Sequence, residues 1–445
     1  MARQKLSDEL TAYGYVFSVK KTIVTFALFF AEILVLGRFF GLERASCGVI
    51  AAAGLVMLPF FIRNSYKNRF LQRRFSSLGI YVEQFLYSFQ KSGKVLVTLL
   101  DVRELFDGDP MGDLLDKVIY YINHTYTERD VERKALAMIE KEYPYPGLSA
   151  VHDFACQTED IGGDYSGGIL LLLEERRAWA DRVYEQMQLK RKKRTDVVLS
   201  IIVSLFLAVM VYIMAGRMGV DVSKHPVSQI VTCLVLVGDI LIYYRADARL
   251  AVGYFEEDVH RMSEKEAEGA YARLKHYENT HGHHLALHAL KKRLTVEVQR
   301  VFPQWLMTLS LYLQTENVQR AIFATYEGAP AVLKPPLREM IGRLRRYPSD
   351  KGAYTDFLSS LQLPEVRSAM KMLYSISEGA GGDASGQIED IIRRNRKMED
   401  KARGIHNDDA IAGMYVLFLA PQITGGIKLM VDMILLFSVY MERMI

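Results

Sequence analysis

Several features are missing from this chain of 445 residues, and each absence closes a class of function. No G-x-x-x-x-G-K-[ST] run occurs, so no glycine loop is available to cradle nucleotide phosphates. Cysteine is scarce: Cys47, Cys156 and Cys233 are spaced neither for a metal site nor for a disulfide framework, in keeping with a reducing compartment. The first apolar block has a mixed-charge leader (Asp8, Glu9) and no small-residue site after it, so a cleaved signal peptide is not expected. Arg44 in the third position before Cys47 makes that cysteine a poor lipid-attachment site. Acidic residues are absent from 63–74, where Arg63, Lys67, Arg69, Arg73 and Arg74 stand together.

What is present is concentrated. The chain is 50% hydrophobic and 24% charged, with a net charge of only +4. The apolar residues gather in Thr22–Gly37, Cys47–Ile62, Val197–Ala215, Val227–Tyr244 and Ala410–Met441. Helices of roughly 17–25 apolar residues cross a hydrocarbon core about 30 Å thick. The first two blocks are short by that measure and must stand upright or borrow flanking residues. The basic run Lys190–Arg194 abuts the third block, and Arg245 and Arg249 follow the fourth, whereas the connections 38–46 and 216–226 are nearly balanced. By the positive-inside rule the N-terminus and both long polar stretches are cytoplasmic. Lys190–Arg194 therefore reads as a membrane stop and not as a nucleic-acid patch.

The polar stretches repeat. Thr158-Glu159-Asp160-Ile161-Gly162-Gly163-Asp164-Tyr165-Ser166-Gly167 matches Ser377-Glu378-Gly379-Ala380-Gly381-Gly382-Asp383-Ala384-Ser385-Gly386 at a shift of 219 residues. The apolar positions that follow keep register: Ile169, Leu172, Leu173, Trp179 and Val183 answer to Ile388, Ile391, Ile392, Met398 and Ala402. That i, i+3, i+4 spacing marks one face of a helix. Upstream, Val82, Gln84, Phe85, Leu86 and Phe89 match Phe302, Gln304, Trp305, Leu306 and Leu309 at a shift of 220, and Asp107-Gly108-Asp109-Pro110 matches Glu327-Gly328-Ala329-Pro330. Three anchors in one order predict an all-α chain with two repeated antiparallel helical-bundle domains.

The expected organisation is a tail and membrane hairpin over 1–62, a first helical domain over 63–195, a hairpin over 196–245, a second helical domain over 246–408 and a membrane segment over 409–445. Pro421 and Gly425-Gly426 favour a tight hairpin in that last segment, with one kinked helix as the alternative. Few ionisable residues enter the apolar blocks: Glu32, Asp239, Lys428 and Asp432. Lys428 and Asp432 lie one helical turn apart and can neutralise each other.

The Gly-Gly-Asp triplet occurs also in diguanylate cyclases, but Tyr-Ser or Ala-Ser follows it here, and it opens a helix. It reads as a turn: glycines for unusual backbone angles, and Asp164, Ser166, Asp383 and Ser385 as N-capping oxygens. The histidines His276, His281, His283, His284 and His288 include an i, i+4 pair, but no third ligand accompanies it, so no metal or other cofactor is expected.

With these residues in place, the chain resembles the type II secretion F-domain family, the platform proteins of type II secretion, type IV pilus and Tad systems. The resemblance rests on the duplication, on Glu159-x-x-Gly162-Gly163-Asp164 and Glu378-x-x-Gly381-Gly382-Asp383, and on the charged helix entering each membrane hairpin, and it spans about 75–445. In carrying a hairpin before the first domain, the chain looks like Tad B and C proteins joined end to end. The resemblance implies an inner-membrane scaffold without enzymatic activity, which couples a cytoplasmic ATPase to the movement of pilin-like subunits and has no nucleic-acid partner. A homo-oligomer and a self-sufficient pseudo-dimer both stay open. A secondary transporter would carry its repeat in the spans themselves, and a membrane-anchored signalling protein would need a catalytic constellation; these are the rival readings. Reporter fusions after Lys67, Arg249 and Arg261 should score cytoplasmic, and fusions near Val220 external; an external score at 250–400 would overturn the charge argument.

Overall fold

The computed structural model describes residues 19–125, 130–162, 165–250, 262–279, 284–313, 316–379 and 415–444. Among these residues the secondary structure is helical throughout, with no strand. The chain divides into two compact units, one formed by residues 1–76, 180–254 and 409–445, the other by 77–179 and 255–408. Residues 63–76 and 180–195 group with the apolar helices, and both polar stretches contribute to the second unit.

The first unit is built of α1 (Val19–Phe39), the N-terminal part of α2 (Arg44–Ser92), the C-terminal part of α7 (Ser166–Arg217), α8 (Pro226–Arg249) and α15 (Tyr415–Met444). α2, α7, α8 and α15 are long and apolar enough to cross a membrane. In hydrocarbon every backbone polar group needs an internal partner, which a helix supplies within its own segment. The short first block does borrow flanking residues, extending to 21 in α1. One face of each helix packs inward. Ile33, Ile50 and Leu236 meet in one cluster, and Phe40, Ala208 and Val209 in a second. Outward, Leu34 is 70% exposed, Phe206 64% and Phe437 67%. Exposing such side chains to water forgoes roughly 1.5–3 kcal/mol each, whereas lipid imposes no such penalty.

The last apolar block corrects an expectation. Residues 415–444 form one helix with Pro421 inside it, and not the hairpin favoured by the Pro and Gly residues. The reason is packing. A Cβ at Gly425 would fall 2.8 Å from Ser204 Cα, so this glycine permits close approach of α15 to α7 and makes no turn. The Ser200 hydroxyl donates to the Phe418 carbonyl at 2.5 Å, near the start of α15. At the other end Leu436 packs with Val211, Ala215, Val220 and Val222. α15 thus runs parallel to α7 and packs along α8 in the opposite direction.

Each end of this bundle is tied by polar contacts. At one end Arg194 of α7 pairs with Asp247 of α8 at 2.7 Å, and Asn64 of α2 donates to the same carboxylate at 3.0 Å. At the other, Gln229 donates to the Gly41 carbonyl at 2.8 Å and to the Ser223 carbonyl at 2.5 Å, while its Oε1 accepts the Glu43 N–H at 3.0 Å.

The second unit holds, from the first polar stretch, the end of α2, then α3 (Val95–Arg103), α4 (Pro110–His124), α5 (Val131–Glu142), α6 (Pro146–Ile161) and the start of α7. From the second stretch come α9 (Glu264–Asn279), α10 (His284–Tyr312), α11 (Val318–Ala324), α12 (Lys334–Arg346), α13 (Lys351–Thr355) and α14 (Pro364–Ser377). The matched faces are interior in both: Val82, Phe85, Leu86 and Phe89, and likewise Phe302, Trp305, Leu306 and Leu309, are buried. Ile169, Leu172, Leu173, Trp179 and Val183 are buried as well, while Ile388, Ile391, Ile392, Met398 and Ala402 lie outside the described residues. Trp305 stacks on Phe357 in a core that also takes Leu337, Met340, Tyr354 and Met370.

A single crossing by α15 places its C-terminus on the face that carries the 218–225 connection. Tags after Ile445 and within 218–225 should therefore be labelled from the same side of sealed vesicles. Gly425→Leu should lower stability by about 1–3 kcal/mol through overpacking, read as a fall in melting temperature. Labelling of the two tags from opposite sides would refute the single crossing.

Candidate functional site

The repeated motif is only partly within the described residues. Gly163, Asp164, Gly381, Gly382, Asp383 and Ser385 lie outside them. The rest show what the motif does in the first polar stretch. α6 ends at Gly162, whose N–H reaches the Thr158 carbonyl at 2.8 Å and whose φ of +74° and ψ of −168° suit glycine alone. α7 begins at Ser166. Glu159 faces neither solvent nor the turn. Its Oε2 accepts the Val95 N–H at 2.8 Å and its Oε1 pairs with Lys94 at 3.2 Å, so it closes the first turn of α3. A carboxylate there satisfies a donor that the helix leaves unpaired and meets the positive end of the helix dipole. Glu378 is exposed, and α11 is capped by Asn317, whose side chain accepts the Arg320 N–H at 3.0 Å. The matched glutamates thus do different work.

Other anchors behave as local stops. Asp109 Oδ1 accepts the Met111 N–H at 2.8 Å, and Ser77 donates to its Oδ2 at 3.1 Å, with Pro110 opening α4. Ala329, the matched position, has no such oxygen. Arg176 of α7 donates to the Gly79 carbonyl at 3.0 and 3.2 Å and pairs with Glu83 at 2.6 Å, pinning the start of α7 on α2.

Sequence reasoning missed a buried chain of ionisable groups in the second unit. Tyr81, from α2, donates to His152 Nε2 at 3.0 Å, and His152 Nδ1 donates to Glu140 Oε1 at 2.8 Å. Glu140 also accepts from Arg133, which pairs with Asp153 at 2.5 Å. A carboxylate bound twice by Arg133 is ionised and can only accept, so the imidazole proton sits on Nδ1. Burial pushes the His152 pKa down and holds the ring neutral, against the pull of Glu140. Burial likewise raises the Tyr81 hydroxyl well above its usual range. The arrangement has the members of a proton relay, but His152 and Tyr81 are fully buried beneath Phe85, where no substrate can reach them. It acts as a polar pin between α2, α5 and α6. His152 stands among apolar residues in a helix, and nothing in its sequence spacing marks it.

The histidines at 276 and 288 fall in α9 and α10, and 281 and 283 lie outside the described residues. Among the described residues no group of three or more His, Cys, Asp or Glu side chains could hold a metal ion.

A second buried polar site lies in the first unit, between α7, α8 and α15. Lys428 and Asp432 are both fully buried and form the i, i+4 ion pair that their spacing suggests. The ammonium uses all three donors, on Asp432 Oδ2, on Tyr212 Oη at 2.9 Å and on Ser228 Oγ at 3.0 Å. Ser228 in turn donates to Asp432 Oδ1 at 2.8 Å. The Tyr212 hydroxyl also lies 3.3 Å from Thr232 Oγ1, whose own proton goes to the Ser228 carbonyl at 2.7 Å. Each partner comes from a different helix, so the network locks three helices in one register.

Compared with protein-family models, with curated proteins and with solved structures, the chain matches none.

Removing one partner of a buried pair leaves an uncompensated charge, at roughly 3–5 kcal/mol. Lys428→Ala or Asp432→Ala should each lower the melting temperature in nanodiscs sharply, and Lys428→Met with Asp432→Leu much less than either. A double variant as unstable as the sum of the singles would mean that the network does more than balance charge.

Proposed function

We propose that the chain is the membrane platform of a type IV filament machine, a Tad-like pilus or type II secretion system, with both polar stretches on the cytoplasmic side of the inner membrane. The observation that carries this reading is the duplication in the polar stretches: three anchors recur in order at a shift of 219–220 residues. The burial of the matched faces in α2 and α10 supports it. So do the basic residues at the polar-stretch ends of α2, α7 and α8, which favour cytoplasmic placement.

In this reading the chain catalyses nothing. A cytoplasmic ATPase acts on the polar stretches, and the membrane helices guide pilin-like subunits out of the bilayer. The glycine turn at 162 sets the direction of α7, a helix of 52 residues that begins beside the motif and ends beyond the apolar run. A helix holds its length under load because its hydrogen bonds run along its axis, which suits it to pass a displacement from the ATPase to the bilayer.

The experiment is deletion and complementation in the host. Loss of the chain should abolish filament assembly while pilin and ATPase levels stay unchanged. The sequence reading of Asp164 and Asp383 as capping residues predicts that Asp164→Ala and Asp383→Ala each cost about 0.5–2 kcal/mol, yet impair assembly more than equally destabilising changes elsewhere. Filaments assembled at the normal rate without the chain would overturn the proposal.

A further inference from the structure

Several acids in the first unit have a basic partner or solvent. Asp247 has Arg194, and Asp432 has Lys428. Asp196 and Asp221 have Lys193 and Lys224. Glu32 is exposed on α1. Asp239 is different. It is 4% exposed, it lies near the middle of α8, and neither carboxylate oxygen makes a hydrogen bond. Ser204 of α7, itself fully buried, is close enough for its hydroxyl to bear on the Asp239 carboxyl, although neither side chain makes a hydrogen bond of full geometry.

Among the described residues no basic side chain is placed to serve it. α2 carries no charge between Arg44 and Arg63, and α7 none between Asp196 and Arg217. Within their apolar runs α15 offers only Lys428, whose three donors are taken, and α1 only the exposed Glu32. On α8 the next ionisable group is Tyr243, one turn away, and the next base is Arg245. The Gly425–Ser204 contact closes the α15 side, since even a Cβ there would strike Ser204. A carboxylate so buried and without a cation partner is costly to ionise, and intramembrane acids of this kind persist where they serve a function.

We propose that Asp239 and Ser204 form an intramembrane proton-binding site. The carboxyl group carries the proton and donates it to Ser204 Oγ, so two orphan polar groups satisfy each other. The bound proton is the cation that the sequence does not supply at this level of the bundle. Release requires α7, α8 and α15 to part enough for water to reach the carboxylate, so proton occupancy reports how closely these helices pack. The site stands on the geometry of the first unit alone and does not depend on the platform reading.

Infrared spectroscopy of the full chain in nanodiscs at pH 7 tests this. The difference between wild type and Asp239→Asn should show the C=O stretch of one protonated carboxylic acid, moving in deuterium oxide. Ser204→Ala should shift that band by removing its hydrogen-bond acceptor, and Asp221→Asn, in the exposed 218–225 connection, should leave it in place. If Asp239→Asn does not yield folded protein, carboxyl-labelled aspartate in the wild type reports the same band through its isotope shift. Absence of a protonated-acid band, a band that survives Asp239→Asn unchanged, or a band lost on adding sodium at constant pH would each overturn the proposal.

Discussion

Hydrocarbon cannot accept or donate a hydrogen bond, and the membrane helices are arranged under that constraint. Lys428 brings three N–H donors and a charge into the space between α7, α8 and α15. Tyr212, Ser228 and Asp432 are the groups that meet them. Satisfying all three donors at once requires α15 to run alongside α7 in the same direction, with Gly425 against Ser204 and Leu436 beside the 220–222 connection. Apolar contacts alone would tolerate sliding or rotation of these helices, because one leucine surface packs on another in many registers. A buried ion pair contributes little net stability, but it is intolerant of misplacement.

The polar stretches follow a different logic. Their cores are ordinary apolar packing around α2 and α10, and the polar groups that matter there sit at helix ends or bridge helices. Glu159 closes α3, Asp109 closes α4, and Asn317 closes α11. His152 joins Tyr81 of α2 to Glu140 of α5. The two matched glutamates show that a repeated motif need not mean a repeated contact. Once Asn317 supplies its own cap, Glu378 is released from that task.

Local periodicity carried a good deal of this in the open. The apolar blocks, the inward faces of α2 and α10, and the Lys428–Asp432 pair all depend on residues three or four apart along one helix, so spacing alone reveals them. The helical character of both polar stretches follows from the same pattern. These features were legible because their geometry is set by the 3.6-residue turn.

What the sequence could not decide was set by contacts between segments far apart in the chain. Pro421 and Gly425-Gly426 read locally as a turn, yet Gly425 serves close packing on Ser204, more than two hundred residues away. Glu159 belongs to a turn motif by sequence and to the start of α3 by structure. His152 gains its role only when α2 lies across α6, and Asp239 stands apart because Lys428, the base that enters the bundle, is already held by Asp432, Tyr212 and Ser228. In each case the deciding partner is brought in by tertiary packing, and no periodicity along one helix encodes it. Sequence alone determined which stretches are helical and apolar; tertiary structure decided which polar groups meet, because pairing across helices depends on register and direction.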